Sequence, residues 1–595
     1  CMLHSLIATF VIIFCYAAFF IGIGQLCTQK LWARSSIRYH IQFILGAYFF
    51  TGATIFTATW LAAALTTSNL KLTLLCTTLL YISLITYQAS QNVLKPTRWR
   101  EYVVIGLLFI VFSMIGFSKA LAPMPLYFVD QPELVNPFAG FGVVVHSFRA
   151  GNLTEYIVSE NTLPRINQHT GQALLASIPL FLKPTSAQLS LVIWMIVLIT
   201  FTTTTFYGLS RSFITDRYRA LIPVALVLLG NTVLSPFYSS TTDTENALFL
   251  ASNVESVFGI LSCVVLLILT YEHIILKRIT PTFVMVLLTT SFVWNIFSGQ
   301  MILLFSLLLI CGLVVYKNQK NLRMLMLVLL SIFTCGAVLG ILLLGGMLAP
   351  ASLVNKVPVP GVLTVHNDSN PPLALRFPRT GESGSRLKDI YFSKPGATLA
   401  ASNLSNVAET KSLSSTIKEH AYLHMFGKLI RSVQVVFFPL VGLALLFTII
   451  RRESLQTLNK QFLYTLWCAT GILFFTGWVV SSCFTLYGYH WELSRFFYVG
   501  LSLSMFLLGV SIAICFNRFT HARAALVFFI GFIMCGPVLE LVSVHLIGNI
   551  YLEPTIEKAT LDQLRGDATR TLSLHERFNF LITSHGMFGT HYNAK

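Results

Sequence analysis

The chain has 595 residues, 55% of them hydrophobic and only 11% charged, with a mean hydropathy of +0.73. So little polar surface cannot cover a soluble globule of this size, which makes a polytopic membrane protein the expected class. The formal net charge of +17 does not call for nucleic acid, because most of it falls in short loops and at the ends of apolar runs, where basic side chains obey the topology rule or snorkel.

Apolar runs of about twenty residues recur along nearly the whole chain, and in hydrocarbon each can satisfy its backbone only as a helix. In chain order, spans are predicted at 3–26, 41–65, 72–87, 102–121, 187–207, 221–234, 254–271, 282–297, 301–316, 324–348, 433–450, 462–480, 497–515 and 524–547. The expected fold is all-α, a transmembrane helix bundle of about fourteen crossings. It divides into N-terminal spans (1–121), a polar acidic segment (122–185), central spans (186–349), a large polar segment (350–431), C-terminal spans (432–547) and a tail (548–595).

Basic residues sort these loops. Lys30, Arg34 and Arg38; Lys95, Arg98 and Arg100; Arg211, Arg217 and Arg219; Lys277 and Arg278; Lys317, Lys320 and Arg323; Arg451, Arg452 and Lys460; and Arg518 and Arg523 all fall on one face if spans alternate, and that face is cytoplasmic by the positive-inside rule. The pattern requires that the apolar piece 172–182 does not cross, and at about eleven residues it suits a dipping or interfacial helix. Every substantial polar segment then lies outside. The first span lacks a small-residue cleavage signature and is expected to be retained.

The eleven cysteines are scattered mostly through the spans with no CxxC or Cys/His spacing, as small apolar packing residues are. Gly336 and Gly340 form a small-xxx-small pair, a helix-contact pattern. Asn152, Asn367 and Asn403 head N-x-Ser/Thr triplets on the outer side.

Candidate chemistry concentrates in the polar segment 124–171, which carries Asp130, Glu133, His146, Arg149, Glu155, Glu160, Arg165 and His169. Asp130 and Glu133 lie just outside a span, at the depth of lipid headgroups, where a carboxylate suits general-base work but also suits a solvated loop. His146 and Arg149, three apart, share a helix face, for substrate contact or for solvation. His169 stands at the turn into the 172–182 helix, as a site residue or a polar cap. Asp243 and Glu245 make either a second acidic site or the acidic first turn after an N-cap. His490, Glu492 and Arg495 head a late span. Arg495 runs against the positive-inside trend, as a phosphate ligand or as an interfacial anchor beside Trp491 and Tyr498. His420 and His424, at i and i+4, have no third metal ligand nearby, and the reading calls for no cofactor.

The order of acidic residues after a span, the Asn136 to Gly142 stretch, the amphipathic 143–149 piece, Gly151-Asn152-Leu153 and the Gly171-led apolar helix resemble the first outer loop of the GT-C superfamily of integral membrane glycosyltransferases. Here that loop follows about the fourth span, whereas in the commonest members it follows the first. The resemblance implies transfer of a sugar from a polyprenyl-phosphate donor to a glycan, lipid or protein acceptor at the outer surface of a bacterial inner membrane. It implies Asp130 or Glu133 as base and Arg495 on the donor phosphate, with membrane lipid as a partner. Two other classes stay open: an enzyme similar to O-antigen polymerases or ligases, using Arg376, Arg379, Arg386, His420, His424 and Arg431, and a secondary transporter or flippase. Transport ranks lower because the spans are almost free of ionisable groups.

Overall fold

The computed structural model describes residues 2–67, 69–91, 103, 105–110, 170–178, 187–229, 254–344, 373–375, 440–451, 457–486, 491–518 and 531. The described part is helical apart from one short ladder. The helices are α1 Met2–Trp32, α2 Ile41–Thr67, α3 Leu70–Gln91, α4 Thr170–Ser177, α5 Ala187–Phe213, α6 Leu221–Leu229, α7 Val254–Leu276, α8 Pro281–Ser298, α9 Gln300–Val315 and α10 Lys320–Leu344. After them come α11 Leu440–Arg451, α12 Thr457–Cys483 and α13 Trp491–Arg518. Strands β1 Leu373–Leu375 and β2 Phe484–Leu486 pair antiparallel, with Ala374 opposite Thr485.

Among the described residues, seven helices are long and apolar enough to cross a membrane, and the chain is an integral membrane protein. Their outward faces stay apolar: Val11, Leu72, Leu75, Leu79, Met324, Leu342 and Val479 are all exposed, as side chains solvated by lipid tails are.

The centre is aromatic. Phe20, Phe49, Phe56, Trp194 and Phe201 are fully buried, and the Phe49 and Phe201 rings stack at 4.3 Å between α2 and α5. Close helix approach comes from glycine. A Cβ on Gly24 would overlap the Tyr48 carbonyl, one on Gly52 the Phe20 carbonyl, and one on Gly208 the Phe43 backbone; small residues let backbones meet where no hydrophobic effect drives association. Gly336 and Gly340 act as the sequence pattern predicts, seating α10 against Leu288 and Phe292 of α8.

Helix α8 begins as its sequence dictates: Pro281 occupies the first turn and the Thr280 hydroxyl caps the Phe283 amide. At the other end Gly299 breaks the chain between α8 and α9. Eleven residues of continuous helix would carry Trp294 and Phe305 about 16 Å apart, yet their rings lie 5.7 Å apart and both meet Phe333 of α10. The helix therefore folds back at this point.

Contacts between helix termini sort the bundle into two ends. At the first, the α1–α2 connection meets the end of α7 through Ser36 and Glu272, the His40 amide donates to Ser212 at the end of α5, and Phe462 near the start of α12 packs on Tyr39, Phe213 and Tyr271. Ile214, Ala220 and Ala513 cluster there as well, which brings in the end of α13. Tyr316, the C-cap of α9, interacts electrostatically with Tyr271. Lys30, Arg34, Arg38, Arg211, Arg217, Arg219, Lys277, Arg278, Lys317, Lys320, Arg323, Lys460 and Arg518 thus collect at one end, as the loop charges predict. At the second end lie the starts of α5, α7 and α13, the last turn of α8 and the β1–β2 ladder.

Candidate functional site

The second end is where the sequence places its chemistry. Helix α4 sits there, packed inside the bundle: Leu174, Leu175 and Ala176 have no exposed surface, and the Tyr16 hydroxyl donates a 2.6 Å hydrogen bond to the Leu175 carbonyl. Gly171 lies so close to Phe297 that a Cβ would strike its ring. The predicted short helix at 172–182 is thus a helix over Thr170–Ser177 held by protein contacts, because its apolar side chains find α1, α5 and α8 as partners. Through α4 the polar segment 122–169 is joined to the last turn of α8.

That turn is polar and buried. Asn295, Ser298 and Gln300 are at most 2% exposed. Among the described residues, Ser298 Oγ, Gln300 Nε2, Trp294 Nε1 and Ser262 Oγ find no hydrogen-bond partner. Buried polar groups are normally paired, by protein or by ordered water, and water is the ordinary partner for atoms such as these.

Helix α13 begins at the same end. It forms an antiparallel hairpin with α12, in which Gly477 abuts Phe496 and Phe497 and Gly500 abuts Phe474. It shares its other end with α5, and Phe206 and Phe506 meet at 5.3 Å midway. The backbone at Glu492 and Arg495 lies in its first turn and a half, beside the ladder that ties Leu373–Leu375 to the end of α12. Asp130, Glu133, His146, Arg149, His169, Asp243, Glu245 and His490 lie outside the described residues, as do Arg376, Arg379, Arg386, His420, His424 and Arg431. Among the described residues, no cluster of three or more His, Cys, Asp or Glu forms a metal site.

The first end contains a feature that sequence reasoning missed. Glu272, 3% exposed, accepts hydrogen bonds from the Ser36 amide at 2.7 Å, the Ser36 hydroxyl at 2.5 Å, the Tyr39 hydroxyl at 2.8 Å and the Ile37 amide at 3.4 Å. No cation pairs with it among the described residues; the four donors carry its charge, as charge-assisted hydrogen bonds do. Burial first, and then the Glu272 charge, push the Tyr39 phenol well above its ordinary value. His273, 2% exposed, bridges the Leu269 carbonyl and the Thr280 hydroxyl and stacks on Phe283 at 4.1 Å. The available signal was an acid and a histidine adjoining an apolar run; the predicted span 254–271 stops just short of both, whereas the helix continues to Leu276. The helices therefore carry buried ionisable groups at this end, Glu272 held by donors distant in the chain and His273 by local hydrogen bonds.

In comparisons with known proteins, no family model, no curated protein and no solved structure matches this chain.

Proposed function

We propose that this chain is a membrane glycosyltransferase of about fourteen crossings that moves a sugar from a polyprenyl-phosphate donor to an acceptor at the extracytoplasmic surface of a bacterial inner membrane. The observation that supports this reading most is that α4, which ends the acidic segment, and the first turns of α13, which carry Glu492 and Arg495, lie at one end of the bundle, opposite the basic loops. In the proposed reaction Asp130, with Glu133 as neighbour or substitute, takes the proton from the acceptor hydroxyl. The acceptor oxygen bonds to the sugar's anomeric carbon as the bond from that carbon to the phosphate oxygen breaks, and Arg495 holds the charge that develops on the departing polyprenyl phosphate. His490, Glu492, His146, Arg149, His169, Asp243 and Glu245 are proposed substrate contacts.

The test is turnover by the purified full chain on a panel of polyprenyl-phosphate sugars. Asp130→Asn and Arg495→Ala are each expected to lower it by about 10²-fold or more, and unchanged turnover in both variants removes the assignment.

One observation favours a second reading, an enzyme like the O-antigen polymerases or ligases: β1 ties the 350–431 segment to the α12–α13 hairpin, with Arg376 following β1 directly. Selective loss of glycan extension or ligation in Arg376→Ala, with single-sugar transfer intact, would favour it.

A further inference from the structure

The turn between α9 and α10 carries a groove with no part in the proposed transfer. It has a volume of about 520 Å³ and is lined by Leu313, Val314, Lys317, Asn318, Arg323 and Leu327. Its two halves differ in chemistry. Val314 and Leu327 are exposed apolar side chains, 66% and 45% accessible, on faces turned away from the bundle, while Lys317 and Arg323 supply exposed cations at the rim.

Among the described residues those cations have no ion-pair partner. From His273 to Asn367 the sequence contains no Asp or Glu, and no ion pair involves Lys317 or Arg323 among the described residues. Helix α10 also begins with Lys320 and Arg323 and no acid in its first turn, although the positive end of a helix dipole favours a negative group there. Cations and an apolar wall facing lipid form the complement of an anionic headgroup with its chains attached; basic pockets between transmembrane helices on the cytoplasmic side bind such headgroups.

We infer that the α9–α10 turn is a binding site for an anionic phospholipid, with the headgroup phosphate held between Lys317 and Arg323 and the acyl chains lying along Leu313, Val314 and Leu327. A phosphatidylglycerol head fits the two-cation rim, and a zwitterionic phosphatidylcholine head carries its own cation into the same place.

The full chain is reconstituted in nanodiscs of mixed phosphatidylcholine and phosphatidylglycerol, and the lipid retained after release is identified by native mass spectrometry. Wild type is expected to retain phosphatidylglycerol preferentially. The exposed pair Lys317→Gln/Arg323→Gln is expected to lower that preference by about thirtyfold, at about fivefold per basic residue near the surface. Lys30→Gln/Arg34→Gln, on another basic loop at the same end, is expected to leave it intact. Equal retention of the two lipids by wild type, or an equal loss in both double variants, overturns the site. So does displacement of the bound lipid by millimolar inorganic phosphate, which would mark a free-phosphate site.

Discussion

Tyr16 and Leu175, 159 residues apart in the chain, are joined by a buried 2.6 Å hydrogen bond from phenol to backbone carbonyl. The bond fixes an eight-residue helix that is too short to be stable alone in water, and it adds a second donor to a carbonyl that already accepts from the Ile178 amide in the last turn. Tyr16→Phe keeps the ring contacts with Phe20 and Trp194 and removes only the donor. The expected cost is about 1–2 kcal/mol, with faster hydrogen exchange at 170–178 than elsewhere in the bundle. Exchange there at the wild-type rate would mean that the apolar contacts of α4 suffice.

Glu272 gathers four donors, so its removal strands them together. Glu272→Ala is expected to destabilise the protein in detergent by about 3 kcal/mol or more, and Ser36→Ala by about 1 kcal/mol. A loss for Glu272→Ala no larger than that for Ser36→Ala would show that the amides and phenol find other partners.

Tyr39 adds a pH dependence with a definite sign. Its folded-state phenol titrates above the ordinary value of 10.0, so its contribution is complete below that pH and is lost as pH rises and the unfolded state ionises first. Thermal stability is expected to fall on the alkaline side of about pH 10, less steeply in Tyr39→Phe. Equal slopes for wild type and variant would assign the fall to other groups.

Gly340 and Gly471 make a matched pair. A Cβ on Gly340 has no room against the Phe292 carbonyl, whereas at Gly471 there is nothing within 4 Å. Gly340→Ala is expected to cost about 1–3 kcal/mol by forcing α8 and α10 apart. Gly471→Ala, in a helix interior, is expected to be neutral or to stabilise by up to about 1 kcal/mol. Melting temperatures of the two variants test the pair, and similar shifts would refute the close α8–α10 contact.

The ladder predicts a cross-link. Ala374 and Thr485 are opposed, and opposed antiparallel residues lie within disulfide range. In a Cys483→Ser background, Ala374→Cys/Thr485→Cys is expected to close on mild oxidation, and the out-of-register pair Leu373→Cys/Phe484→Cys is not. Equal closure of both pairs would rule out this register.

Much of the architecture was legible because hydropathy reports burial in lipid directly. The run 282–297 became Pro281–Ser298 and the run 41–65 became Ile41–Thr67, and Gly336 and Gly340 announced their contact by spacing alone. The common end of the basic loops also followed from charge. The Glu272 donors did not, because nothing local in Ser36-Ile37-Arg38-Tyr39 specifies an acceptor 236 residues later. The packing of α4 was hidden for a related reason: an eleven-residue apolar run is equally suited to an interface and to a helical bundle, and only the Tyr16 and Phe297 contacts distinguish them. The candidate acids Asp130, Glu133, Asp243 and Glu245 lie outside the described residues.

The donor clamp on Glu272 also has a timetable. Ser36 leaves the ribosome 236 residues before its acceptor, and at about 5–20 residues per second that interval lasts on the order of 10–50 s. During biogenesis the first hairpin must therefore wait with Ser36 and Tyr39 lacking this acceptor, its connection first meeting α5 through His40 and Ser212 and then α7 through Glu272.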